Sequence, residues 1–135
     1  MKKTRLFDLK ISNKNQQKSL INAFKKVLNH GQFFLGPEVR EFEKKISSFL
    51  KSRYSIGVAS GSSALYLSLR ACGIGPGDEV ITTPLSWIIT SNAISSCGAV
   101  PIFVDVKDDL NINEKLIEKS ITKKTKAIVP MHYGG

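Results

Sequence analysis

Residues 54–71 read Tyr-Ser-Ile-Gly-Val-Ala-Ser-Gly-Ser-Ser-Ala-Leu-Tyr-Leu-Ser-Leu-Arg-Ala, and this stretch decides the fold. Tyr54–Ala59 is a short apolar run rich in strand formers, Ser60–Ser63 is a turn, and Ala64–Ala71 reads as a helix apolar nearly all round. The alternation continues downstream. Gly73-Ile74-Gly75-Pro76-Gly77 breaks the helix, Glu79–Thr82 reads as a second strand ended by Pro84, and Trp87–Cys97 reads as a helix closed by Gly98. Val100–Val104 is a third strand, Ile112–Ile121 an amphipathic helix and Ala127–Met131 a fourth strand. Strands and helices alternating at this spacing predict an α/β fold of βαβ units on a parallel sheet. Strands of continuous apolar type predict that both sheet faces are covered.

Upstream the period is helical. Leu20, Ile21, Phe24, Val27 and Leu28 share one face of a helix from about Asn15, with Gly31 as its stop. Pro37 opens a second helix whose inward residues are Val39, Phe42, Ile46, Phe49 and Leu50. The expected organisation is a helical arm over 1–53, forming a separate layer or a dimer arm, followed by an α/β unit over 54–135. The last strand runs into Met131-His132-Tyr133-Gly134-Gly135, which begins a βα loop and does not close a domain. The α/β unit is therefore expected to be incomplete, the N-terminal portion of a longer chain.

Composition narrows the function classes. A chain of 135 residues suits one small domain or a piece of a larger one, and 41% hydrophobic residues argue against wholesale disorder. No apolar run approaches the roughly 18 residues of a spanning helix, and Asp8 and Lys10 interrupt the start before a secretory core forms. A cytoplasmic location with no membrane partner is expected. Cys72 and Cys97 form no CxxC and have no His pair, so they read as reduced, buried thiols with no metal site.

The net charge of +9 is uneven: residues 1–55 hold thirteen Lys/Arg against four Asp/Glu. A basic flank can bind nucleic acid or favour an anionic ligand. Here the lysines are scattered over helical segments with no clear helix-turn-helix pattern, so no nucleic-acid partner is expected.

Ligands of open α/β sheets sit beyond the carboxyl ends of the strands. Three features collect there: Ser60–Ser63, Ser86-Trp87 and Met131–Gly135. Ser60-Gly61-Ser62-Ser63 follows a strand and opens a helix, where free N–H groups and the positive dipole end suit a phosphate. The same residues would also serve as a simple N-cap cluster. Trp87, the single tryptophan, could stack on a planar ligand or pack in the core. Asp105 could face the cleft or cap the next turn, and His132 could meet an anion or act as acid or base. Gly73–Gly77 lies at the opposite edge and reads as a structural turn.

Five ordered segments carry a resemblance. They are Gly36-Pro37-Glu38-Val39 with Phe42-Glu43, then Val58–Leu65, then Gly73–Ile81, then Gly98–Val106, and Thr122–Met131. Together they resemble the N-terminal part of the DegT/DnrJ/EryC1/StrS family of pyridoxal-phosphate-dependent sugar aminotransferases, from about Gly31 onward. The resemblance implies a fold-type I large domain, pyridoxal 5'-phosphate as cofactor, and a homodimer with active sites at the subunit interface. It implies that Gly61, Ser62 and Ser63 hold the cofactor phosphate, with Ser62 where Thr is common, and that Trp87 stacks on the pyridine ring. Gln32–Gly36 would lie near the substrate opening or the partner subunit. His132 departs from the family's H-x-Y-G spacing by one residue, since Tyr133 follows it directly.

No residue of this chain is expected to be catalytic, because the Schiff-base lysine is expected beyond residue 135. The implied activity is amino transfer from an amino-acid donor to a nucleotide-linked keto sugar, as in polysaccharide and amino-sugar biosynthesis. The alternatives are a sugar dehydratase of the same family, with His in place of that lysine, and a non-catalytic remnant or partner-binding module.

Overall fold

The computed structural model describes residues 9–133. The chain divides into two compact units, Met1–Gly57 and Val58–Gly135.

The first unit holds α1 (Lys14–His30) and α2 (Pro37–Leu50). Asn13 caps α1 by accepting the N–H groups of Asn15 and Gln16, and Gly31 ends it at φ 68°, which a side chain would resist. Pro37 sits in the first turn of α2, where its missing N–H costs nothing, and Lys51 ends the helix at φ 52°. Between the helices Gly36 is obligatory, since a Cβ there would stand 2.7 Å from the Gln32 carbonyl oxygen. Glu38 joins the two helices by bonding His30 Nε2 at 3.1 Å and Lys26 Nζ at 3.5 Å. The faces expected to be buried remain open: Leu20, Ile21, Phe24, Phe42 and Phe49 are all exposed.

The second unit runs α3 (Gly61–Ala71), β1 (Glu79–Thr82), α4 (Ile89–Ser96), β2 (Val100–Phe103), α5 (Glu114–Ser120) and β3 (Thr125–Val129). The three strands are parallel in the order β2-β1-β3. On β1, Val80 and Ile81 point to opposite faces and both are wholly buried. Val80 joins Leu69 of α3, Ala93 and Ile94 of α4, and Ile74. Ile81 joins Val104 and Ile112, with Leu116 and Ile117 of α5 packed against them. Both faces of the central strand β1 are therefore covered, whereas Val100 and Phe103 of β2 and Ile128 of β3 are exposed. Gly73–Gly77 is a structural turn: Asp78 accepts the Gly75 N–H at 2.9 Å. Pro76 packs so closely on Gly98 that a Cβ there would lie 2.9 Å from Pro76 Cγ.

Two expectations are corrected. Tyr54–Ala59 is not a strand: among the described residues the sheet has three strands, and this run pairs with none of them. Its apolar, β-prone residues satisfy the side-chain requirement, but a strand exists only when a neighbour takes its backbone groups. Of the two cysteines, Cys97 is buried and Cys72 is exposed. Cys72 occupies the C-cap of α3, where the helix turns out of the core.

Surface carboxylates give the stability a pH dependence. Glu41 is held below the ordinary 4.5 chiefly by its hydrogen bond from Lys45. Glu114 and Glu38 are held below it chiefly by backbone N–H donors. Asp109 lies below 3.8 chiefly through the Asn111 N–H. A depressed carboxylate stabilises fully above its unfolded pKa, and the contribution is lost as pH falls through the folded value. The urea midpoint is therefore expected to be flat from pH 7 to 5 and to fall below about pH 4.5. A midpoint that rises on acidification would contradict these pairings.

Candidate functional site

The turn over Ser60–Ser63 is drawn into the helix, so that α3 begins at Gly61 and Ser60 is its N-cap. Ser60 Oγ accepts the Ser63 N–H at 3.1 Å and lies 3.1 Å from Ser63 Oγ. The capping alternative is thus real, but it uses only one of the free donors. The N–H groups of Gly61 and Ser62 have no partner among the described residues. They point out of the helix end that carries partial positive charge.

Gly61 has no packing role that demands a glycine. A Cβ built on it meets nothing within 4 Å, and its φ is not in the left-handed region. The space in front of this turn is open, and Ser62 beside it is exposed. Unpaired N–H donors, an available hydroxyl and an unobstructed approach fit a phosphate group. Ser62 and Ser63 also line a cavity of about 360 Å³ with Tyr66 of α3 and Ile89, Ala93 and Ser96 of α4.

Trp87 follows β1 and is 82% exposed. Among the described residues the ring is therefore not packed into either core cluster. The ring lines a second, smaller cavity of about 140 Å³ with Thr83, Ser86, Ser91 and Phe103. The turn and the tryptophan thus belong to the same unit but line separate cavities. The backbone near Trp87 is fixed from two sides. Ser86 Oγ lies 2.7 Å from Thr90 Oγ1 and donates to Met131 Sδ, and Thr82 Oγ1 donates to the Val129 carbonyl at 2.9 Å. These bonds tie the carboxyl end of β1 to the carboxyl end of β3.

The other two candidates are not drawn in. Asp105 Oδ1 accepts the neighbouring Val106 N–H at 2.8 Å and its carbonyl accepts from Asn113, so it organises the turn after β2. His132 is exposed and lines neither cavity. Gly134 and Gly135 lie outside the described residues. Reading the sequence did not single out Tyr66, Ser91 or Phe103. Each sits at an ordinary helix or strand position, so no local signal marks it.

The second unit thus presents a parallel sheet, a helix terminus with free N–H donors and an exposed aromatic after β1. Residues 14–135 match the model of the DegT/DnrJ/EryC1/StrS aminotransferase family, and the chain belongs to that family. It is 43% identical over 119 residues to the spore coat polysaccharide biosynthesis protein SpsC of Bacillus subtilis, covering 87% of this chain and 31% of that protein. It is 42% identical over 127 residues to UDP-2-acetamido-2-deoxy-3-oxo-D-glucuronate aminotransferase of Pseudomonas aeruginosa, covering 90% and 35%. The fold superposes on the crystal structure of NtdA from Bacillus subtilis with bound cofactor PMP at a TM-score of 0.84 and 38% identity, covering 90% of this chain and 28% of that one. The chain spans about a third of the length of the curated relatives it matches.

Proposed function

We propose that this chain supplies the phosphate anchor and ring platform of a pyridoxal-phosphate-dependent aminotransferase acting on a nucleotide-linked keto sugar. The observation that carries the proposal is the pair of unpartnered N–H groups at Gly61 and Ser62, in front of open space in a chain of this family. Substrate class is inferred from the Pseudomonas aeruginosa relative, whose name specifies a UDP-linked 3-oxo sugar acid. An amino acid is the amino donor in this scheme.

The Gly61 and Ser62 N–H groups and the Ser62 hydroxyl hold the phosphate. Ser63 contributes its position in the first turn, its own N–H being taken by Ser60. Trp87 would lie against the cofactor ring as a stacking surface. When bound, the cofactor supplies an electron sink for carbanion stabilisation. In this scheme the residues of this chain bind and orient the cofactor, and none of them is assigned the proton transfer.

The working form is a cytoplasmic homodimer. The exposed apolar residues of α1, α2 and the Phe33-Phe34-Leu35 connection support an associating surface. No helix among the described residues is long and apolar enough to cross a membrane.

Trp87 is the only tryptophan of these 135 residues, and the signal belonging to this site is the part lost in Trp87→Phe. Titrating the intact protein with pyridoxal 5'-phosphate is expected to quench that emission saturably, with weaker binding in Ser62→Ala. Emission that does not change, or quenching that is linear and unsaturable, would remove the ring platform from the proposal.

A further inference from the structure

Within the first unit, the connection between α1 and α2 holds an uncommon backbone conformation. Leu35 sits at φ 49°, in the left-handed region that a bulky side chain resists. Such a residue persists only where its surroundings over-determine it. At the far end of the connection, Gly36 closes onto the Gln32 carbonyl, and Arg40 Nη1 donates to the Leu35 carbonyl at 3.4 Å. At the near end the restraint is His30, the last residue of α1. Its Nδ1 accepts the Gln32 N–H at 3.1 Å.

The partners of the ring fix its protonation state. The Gln32 N–H can only donate, so Nδ1 must present its lone pair. Nε2 lies 3.1 and 3.2 Å from the two carboxylate oxygens of Glu38. An ionised carboxylate only accepts, so Nε2 must carry the proton. The neutral Nε2–H tautomer is the one form of histidine that satisfies both partners. Glu38 is held below the ordinary 4.5, chiefly by its own backbone N–H, and so remains ionised where histidine titrates.

A second proton can enter the ring only at Nδ1. It sets two N–H groups against each other and ends the Gln32 bond. The same proton turns the Nε2–H bond to Glu38 into a charge-assisted pair. One event therefore frees the connection while tightening the joint between the helices. The two changes oppose each other, so the effect is local. Two other charged groups act around the pair. Lys26, four residues before His30 on α1, shares Glu38 at 3.5 Å and opposes the added charge. Glu41 of α2 also feels Lys26, but its carboxylate is occupied by Lys45 at 2.7 Å. We infer that His30 is a proton-operated latch on the α1–α2 connection, holding Gln32 when neutral and releasing it, but not Glu38, when protonated. The inference uses no residue of the α3 turn and does not depend on the cofactor reading.

Nitrogen-15 NMR of the intact protein between about pH 8 and about pH 5 tests it. At the upper end the His30 ring is expected to carry its proton on Nε2. On acidification the protection of the Gln32 amide against hydrogen exchange, corrected for the intrinsic rate, is expected to fall about two- to tenfold. It is expected to do so with the midpoint of His30; His132, the other histidine, supplies a second midpoint for comparison. In His30→Phe, which removes both ring nitrogens, Gln32 is expected to be poorly protected at every pH. Glu38→Gln keeps an acceptor for Nε2–H but removes the charge, and is expected to move the midpoint to lower pH. A ring proton on Nδ1 at the upper end, Gln32 protection that ignores the His30 midpoint, or a pH dependence that survives in His30→Phe would overturn the latch. An unmoved midpoint in Glu38→Gln would overturn the tightening of the helix joint.

Discussion

Gly61→Ala is expected to weaken pyridoxal 5'-phosphate binding about 10- to 100-fold while leaving the folding free energy within about 0.5 kcal/mol. The two effects separate because the chain itself makes no use of this glycine. Its φ is not left-handed, and a Cβ would meet nothing within 4 Å. Alanine is also the better helix former at the first position of α3. A methyl group there would, however, add bulk beside the Gly61 and Ser62 N–H groups that the proposed phosphate has to reach. Charge-assisted hydrogen bonds contribute roughly 1.5–3 kcal/mol each, which sets the expected loss. Equilibrium dialysis against the cofactor and urea denaturation are read together. Unchanged cofactor affinity would place the phosphate elsewhere, and lost stability would show the glycine to be structural after all.

Ile94→Ala carries the largest expected effect on stability, about 2–5 kcal/mol. Ile94 is wholly buried on α4 and is enclosed by Leu69, Ile74, Val80, Ala93, Cys97 and Ala99. Removing its outer carbons takes away transfer free energy and leaves a cavity that these neighbours, drawn from two helices and the sheet, cannot collapse to fill. The expectation is a lower urea midpoint with an unchanged denaturant slope. A loss below about 1 kcal/mol would mean that α4 is not seated on the sheet as described. Since α4 follows Trp87 directly, the same variant is expected to reduce the quenching of Trp87 emission by the cofactor under conditions that saturate the parent protein.

Most of the element plan is legible because it rests on local rules. Asn13 and Gly31 bracket α1, and Pro37 starts α2, through capping chemistry confined to a few residues. Val80 and Ile81 announce a two-faced sheet because adjacent apolar residues on one strand have to point both ways. The boundaries moved where a neighbour intervened. The last strand begins at Thr125, before the apolar run, because β3 follows the register of β1 and a bulge falls at Glu79/Val80. α3 starts at Gly61, three residues before Ala64, because Ser60 provides the cap.

The candidate site divides in the same way. A serine- and glycine-rich turn after a β-prone run marks a helix terminus able to receive an anion, and that much is written in Ser60–Ser63 itself. Whether Trp87 is buried or presented to solvent is set by what packs around the carboxyl ends of β1 and β3, where Ser86, Thr90 and Met131 hold the backbone and leave the ring free. Tyr54–Ala59 is the clearest division. Its composition determines a preference for extended backbone, and family membership is likewise written in ordered local segments. Becoming a strand requires hydrogen bonds from another segment, and only the tertiary structure decides whether one is there.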